Sequence, residues 1–273
     1  MAENRENQFT REDITTLLGE VAAEYTVRNG SPLKVLIYGG AAATLRHKFR
    51  TSTHDIDHAL LEESPLFEDC VEIVGKKYGM FPRWMHRLER FTSAPCFREN
   101  FYRHSDALHP GTESDNLSFL VQDSDWQLAN KLYWFRRDRK NDGLDIVGIL
   151  QERGGDAQKQ VSRIVQDMFD ESSVCCSDGT ILLAALERGE NLDELAARLD
   201  KRASYYEKVY DILFSVLSLK DVSAACKICW EESLFWQTKE DVQTSLARHG
   251  INLAPIIVNH IARIMFKPEF WML

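Results

Sequence analysis

Two aspartates separated by a single residue are the feature of this chain best suited to chemistry. Asp55 and Asp57 flank Ile56 and lead into an apolar run. If that run is a strand, residues two apart point to the same face, and both carboxylates aim at one spot. Two carboxylates so placed repel each other unless a proton or a cation neutralises them. Mg²⁺ takes oxygen ligands and often shares them with a substrate phosphate, so we expect it at Asp55 and Asp57.

A glycine pair stands upstream of the aspartates. Gly39 and Gly40 follow the apolar stretch Val35-Leu36-Ile37 and Tyr38. Glycine allows a backbone to approach a phosphate closely, and a helix that starts there supplies N–H donors. Arg50, in the loop before the aspartates, is a second candidate phosphate ligand. The pattern therefore predicts a phosphate-binding turn beside a metal site.

Composition and charge limit the possible classes of protein. The chain has 273 residues, of which 44% are hydrophobic and 27% charged, so we expect a packed core and room for two domains. The net charge of −9 argues against tight, non-specific binding of nucleic acid by the whole protein. No apolar run reaches the roughly 20 residues of a membrane helix. The polar N-terminus lacks a signal-peptide core, and six cysteines do not suggest a disulfide framework. We expect a cytoplasmic protein.

The spacing of apolar residues predicts a mixed first half and a helical second half. Strands are predicted at 33–38, 56–61, 84–91 and 117–121. Helices are predicted over 11–28, with Thr10 as N-cap, and over 41–49, 65–78 and from Ser124 or Asp125 to 137. Residues 93–116 are predicted to form a long loop or lid. Asp142-Gly143 is predicted to be a turn, followed by a helix over 144–150. Later helices are predicted over 157–169, 180–188, 191–199, 202–218, 219–230, 239–248 and 253–266. We predict an α+β fold, with a small mixed sheet in a domain of residues 1–150 and an all-helical domain of residues 151–273.

The order of a strand, Gly39-Gly40, a helix and Asp55-Ile56-Asp57 resembles the nucleotidyltransferase superfold of the DNA polymerase beta type. In that superfold a strand ends in Gly-Gly or Gly-Ser, and the strand after the next helix carries Asp-x-Asp. Further motifs are similar to the AbiEii-type nucleotidyltransferases of bacterial toxin–antitoxin and abortive-infection systems. These are Arg50-Thr51-Ser52-Thr53, Asp125-x5-Lys131-Leu132-x3-Arg136 and Lys140-Asn141-Asp142-Gly143-Leu144-Asp145-Ile146. The resemblance covers residues 33–150.

The resemblance implies a role for each matching residue. Gly39 and Gly40 would lie under a nucleoside triphosphate, with Arg50, Thr53 and Lys131 also binding it, while Asp55 and Asp57 would hold Mg²⁺ and Asp145 would act as a base or orienting group. The implied reaction moves a nucleoside monophosphate from an NTP to an acceptor hydroxyl of RNA or protein. A cognate antitoxin is the implied partner, in a toxin–antitoxin or phage-defence setting.

Two alternatives stay open. A catalytically silent protein of the same superfold would bind or regulate a partner instead. The long gap between Gly40 and Asp55, and Asn141 within the third motif, favour that alternative. A small-molecule nucleotidyltransferase, with an antibiotic as acceptor, is the other.

Other motifs have plainer structural interpretations. His54 and His58 flank the aspartates, but in a strand they would face away from Asp55 and Asp57, so we expect surface or packing histidines. Cys226 and Cys229 lie in a predicted helix without further zinc ligands, so we expect buried thiols. The basic run 136–140 is either a solvated helix end or a rim that faces phosphate.

Overall fold

The computed structural model describes residues 8–80, 84–87, 97–110, 116–135, 140–168, 177–231 and 238–266. Helices and strands are mixed in the chain, which confirms the predicted α+β class. The chain divides into two compact units, residues 1–133 with 148–174, and residues 134–147 with 175–273. A compact unit need not fold on its own, so the domain boundary at residue 150 stays a prediction.

The strands of the first unit form one mixed sheet and one short ladder. They are β1 (Phe9–Thr10), β2 (Leu33–Tyr38), β3 (Ser52–Thr53), β4 (Ile56–Leu60), β5 (Met85–Arg87), β6 (Ser105–Leu108) and β7 (Leu117–Gln122). The sheet order is β5-β4-β2-β7-β6, and β1 pairs with β3 alone. Strand β2 runs parallel to β7 and antiparallel to β4. The end of β2 therefore lies beside the start of β4, where Tyr38 is paired with Asp57.

Seven helices accompany these strands along the chain. They are α1 (Arg11–Val27), α2 (Gly39–Arg46), α3 (Pro65–Lys77), α4 (Phe97–Arg103), α5 (Ser124–Trp134), α6 (Lys140–Arg153) and α7 (Ala157–Met168). Helix α1 begins at the predicted cap, where Thr10 and Asp13 form a capping box. A single buried cluster joins α1 and α3 to the sheet, and Ile14, Ile37, Ile56 and Phe67 are fully buried within it. This core fixes the strands that carry the glycine pair and Asp57.

The long loop predicted over 93–116 is wrong for residues 97–108, which form α4 and β6. Phe101 is fully buried and Asn100 nearly so, which anchors α4 to the unit. The Nζ of Lys34 lies 4.8 Å from the centre of the Tyr102 ring. The sequence did not reveal this helix because its buried face consists of few residues and lacks a repeating apolar period.

The turn predicted at Asp142-Gly143 is also wrong, because both residues lie inside α6. A Cβ at Gly143 would lie 2.9 Å from Leu199 and 3.1 Å from the Phe135 ring, so close packing explains this glycine. Gly154 and Gly155 directly follow α6. Both residues have positive φ, 66° and 78°, which ends α6.

The second unit contains helices only among its described residues. After the start of α6 they are α8 (Ser177–Glu187), α9 (Leu192–Phe214), α10 (Leu219–Glu231), α11 (Lys239–Arg248) and α12 (Pro255–Met265). Helices α9 to α12 share one buried core, in which Cys226 and Cys229 are the buried thiols that the sequence predicted. The two helices predicted at 191–199 and 202–218 are a single helix, α9. No helix within the described ranges is long and apolar enough to cross a membrane.

Candidate functional site

The turn from β2 into α2 is the centre of the candidate site. Gly39 opens α2 with a φ of +64°, a conformation that L side chains rarely adopt. A Cβ at Gly39 would lie 2.6 Å from Oδ2 of Asp57. The carboxylate of Asp57 therefore lies directly against the backbone at the start of the helix. A helix start carries partial positive charge, so the position suits an anionic group.

The second glycine is equally crowded. A Cβ at Gly40 would lie 2.6 Å from Oγ1 of Thr53 and 3.4 Å from Nη2 of Arg50. Thr53 is buried, and the Nε of Arg50 donates a 3.0 Å hydrogen bond to the Ser52 carbonyl. The structure thus gathers five predicted site residues around the first turn of α2. They are Gly39, Gly40, Arg50, Thr53 and Asp57.

Asp55 lies just before strand β4. That strand begins at Ile56, which pairs with Met85 of β5, and Asp57 pairs with Tyr38 of β2. Asp55 lies in the bend before the strand, so strand alternation does not fix its direction. The strand argument therefore applies to Asp57, and the predicted convergence of the two carboxylates stays a prediction.

Of the two flanking histidines, only His58 lies on β4, and it behaves as the strand alternation predicts. His58 is fully buried, its Nε2 lies 3.1 Å from Oε1 of Glu68, and its ring lies 5.2 Å from the Phe67 ring. These contacts come from α3, on the face of β4 opposite Asp57. His54 is exposed. His58 is therefore a packing histidine and His54 a surface one.

The remaining predicted site residues lie on later helices. Lys131 is half-buried on α5 in the first unit, and Asp145 is buried on α6 in the second unit. Their approach to the aspartates stays a prediction. Of the basic run 136–140, residues 136–139 fall outside the described ranges.

Within the described residues, no cluster of three or more His, Cys, Asp or Glu side chains is arranged to hold a metal. Asp55 and Asp57 stay the predicted Mg²⁺ ligands, and Asp57 lies against the turn at Gly39. Mg²⁺ commonly keeps water and substrate phosphate as its other ligands, so two carboxylates are enough ligands for the protein to supply.

A second polar cluster was not predicted. Oγ of Ser124 lies 3.4 Å from Nε2 of His47, and Nδ1 of His47 lies 3.2 Å from Oε2 of Glu152. Ser124 was a predicted helix cap, but Asp123 caps α5 by accepting a 2.7 Å hydrogen bond from the Trp126 N–H. The Ser124 hydroxyl therefore faces His47 instead. These three residues are distant in sequence, and no local pattern connects them.

Burial lowers the pKa of His47 below its ordinary value of 6.5, against the opposing effect of Glu152 and together with Arg153 and Arg46. Protonating His47 therefore costs the folded state more than the unfolded state. We expect the free energy of unfolding to be insensitive to His47 above pH 6.5 and to fall as the pH drops below it. Urea titrations at pH 7.5 and 5.5 test this, with the fall smaller in His47→Gln. An equal fall in both proteins would contradict it.

Comparisons with known proteins do not place the chain in a family. No family model matches it, and neither the curated proteins nor the solved structures include a match. The geometry of the β2–α2 turn therefore carries the functional conclusion.

Proposed function

We propose that this chain is a Mg²⁺-dependent nucleotidyltransferase, which moves a nucleoside monophosphate from an NTP to an acceptor hydroxyl on RNA or protein. The main support is the contact between the first turn of α2 and Asp57, where a Cβ at Gly39 would lie 2.6 Å from Oδ2. Backbone N–H groups, a carboxylate and Arg50 occur together there. A metal-bound triphosphate needs these three kinds of group.

The order of elements also supports assignment to the nucleotidyltransferase superfold. Strand β2 leads through the glycine pair into α2, and Asp57 lies on β4, the neighbour of β2 in the sheet. This is the arrangement that the resemblance implies. The proposed setting is toxin–antitoxin or phage defence, with a cognate antitoxin as partner.

Each site residue has a distinct proposed task. Asp57 and Asp55 would hold Mg²⁺, which neutralises phosphate charge and stabilises the leaving pyrophosphate. The α2 N-terminus and Arg50 would bind phosphate oxygens, and the Thr53 hydroxyl would hold the turn beside Gly40. Lys131 would reach the phosphates as a flexible cation, and Asp145 would orient the acceptor hydroxyl or take its proton. Catalysis would rest mainly on positioning and charge.

The direct test is transfer of label from each α-³²P-NTP, with Mg²⁺ and either total RNA or a cell lysate as acceptor. We expect Asp57→Asn to lower transfer at least about 100-fold, because one charge that holds the metal is lost. Asp69→Asn, at an exposed aspartate on α3, is the matched control and should transfer at the wild-type rate. Equal transfer by Asp57→Asn and wild type would overturn the proposed mechanism.

A catalytically silent nucleotide-binding or regulatory protein is the second candidate. It is favoured by the long gap between Gly40 and Asp55 and by Asn141 within the third motif. A thermal shift with Mg²⁺ and each NTP separates the candidates. Binding without transfer supports the silent protein, and binding that Asp57→Asn weakens places the nucleotide at the same turn.

A further inference from the structure

We propose that Ser124, His47 and Glu152 form a nucleophile–base–acid triad, which hydrolyses esters of small acyl groups at a second site in the first unit. The order of contacts is the main reason. Ser124 meets one ring nitrogen of His47, at 3.4 Å, and Glu152 meets the other, at 3.2 Å. With the ring proton on Nδ1 facing Glu152, Nε2 is left to accept the Ser124 proton.

The imidazole is held in place from several sides. Glu152 also accepts a hydrogen bond of 3.3 Å from the Lys48 backbone N–H. The Phe49 ring stacks on His47 at 5.2 Å, with 26° between the planes. Gly148 makes room for Phe49, because a Cβ there would lie 2.7 Å from that ring. The orientation of His47 is thus fixed before any substrate arrives, as a general base requires.

The three residues lie in a cleft that a substrate can enter. A solvent-open cleft of about 430 Å³ is lined by Leu45, Arg46, His47, Ser124, Glu152 and Arg153. Three residues that only linked helices through hydrogen bonds would not require a solvent-open cleft. Burial also lowers the pKa of His47, which keeps the ring neutral and able to accept a proton at neutral pH.

Two arginines lie in the wall of the cleft. Arg46 donates to Oδ2 of Asp106 at 2.6 Å and to the Val121 carbonyl at 2.9 Å, and Arg153 forms an ion pair with Asp125. These two carboxylates balance the charges of both guanidinium groups, and Glu152 adds a third carboxylate to the cleft. The arginines therefore do not select an anionic acyl group, and the substrate class is an ester of a small acyl group that fits a cleft of about 430 Å³.

The reaction has two balanced halves. Oγ of Ser124 bonds to the ester carbonyl carbon while its proton moves to Nε2 of His47. The carbon–oxygen bond to the leaving group then breaks, and the departing alkoxide takes that proton and leaves as an alcohol. Water attacks the acyl-Ser124 with its proton passing to Nε2, and the carboxylic acid departs as Ser124 regains the proton.

The test is covalent labelling of the full chain with diisopropyl fluorophosphate, followed by intact mass and peptide mapping. We expect one label, on Ser124, with fluoride as leaving group. Ser124→Ala should take none, and His47→Gln should react at least about 100-fold more slowly. Glu152→Gln should react more slowly with a shifted pH profile, which marks it as a positioning residue. Ser162→Ala, at an exposed serine on α7, is the matched control and should label as wild type does.

A second measurement covers variants that fail to fold. Ser124→Cys keeps the shape of the site, and its alkylation by iodoacetamide should slow when His47→Gln is added. Hydrolysis of p-nitrophenyl acetate should be lost in Ser124→Ala and should keep the wild-type rate in Ser162→Ala. A folded wild-type protein that takes no label, or Ser124→Ala that labels equally, would overturn the proposal. Neither assay contains a nucleotide or Mg²⁺, so the outcome is independent of the nucleotidyltransferase proposal.

Discussion

Replacing Gly39 with alanine is expected to lower the free energy of unfolding by about 3 kcal/mol and to abolish nucleotide transfer. The φ of +64° alone costs an alanine about 1–2 kcal/mol. The new methyl group would also lie 2.6 Å from Oδ2 of Asp57, and forced overpacking costs about 1–3 kcal/mol. Relief of the clash would move Asp57 away from the start of α2. Urea unfolding and the labelled-NTP assay measure the two effects.

Gly79 provides a matched control for backbone strain. Its φ is also +64°, but nothing lies within 4 Å of a Cβ built there. Gly79→Ala should therefore show the strain alone, about 1–2 kcal/mol. The difference between the two variants reports the contact with Asp57. Adding Asp57→Ala to Gly39→Ala should recover about 1 kcal/mol as coupling between the sites. Equal costs for Gly39→Ala and Gly79→Ala would contradict the geometry of the turn.

Replacing Phe67 with alanine is expected to lower the free energy of unfolding by about 3–5 kcal/mol. The side chain is fully buried, and its ring packs edge-on against His58 behind β4. Its removal leaves a cavity between α3 and the strand that carries Asp57. Urea denaturation of wild type and variant gives the difference, read from the transition midpoint and slope.

An exposed apolar residue serves as the comparison for Phe67. Val27 is 78% exposed at the end of α1, so Val27→Ala should change the free energy of unfolding by less than about 0.5 kcal/mol. A cost below about 1 kcal/mol for Phe67→Ala would contradict its place in the core.

The elements predicted best are those whose signals are local. Strand β2 is a short run of apolar and β-branched residues, and its observed bounds are the predicted ones. Helix α3 begins with a Ser64 cap and Pro65, and ends one residue before the predicted Tyr78. The cap of α1 was likewise visible in Thr10 and Asp13. In each case neighbouring residues alone determine the structure.

Elements that depend on distant partners were not predictable. The sequence predicted a turn at Gly143, but this glycine lies within a helix and leaves room for the side chain of Leu199, a residue far along the chain. The segment around Phe101 has no repeating spacing of apolar residues, yet the burial of Phe101 holds α4 in place. The polar stretch near Asp200 suggested a break, whereas α9 runs through it because both sides of the stretch bury apolar residues.

The candidate sites divide in the same way. Asp57 could be placed on a strand because the apolar run around it is a local signal, and the structure pairs it with Tyr38 at the end of β2. The direction of Asp55 could not be predicted in the same way, because Asp55 precedes the strand and alternation does not apply to it. His47, Ser124 and Glu152 come from three separated segments, and only the folded chain brings them together.

Helix α2 is only eight residues long, or about 12 Å. Its first turn meets Asp57, and the residues at its other end, Arg46 and His47, line the open cleft. A helix this short bends little, so a displacement of one end moves the other. The two proposed sites therefore share one helix, and we expect a ligand bound at either site to shift the residues of the other.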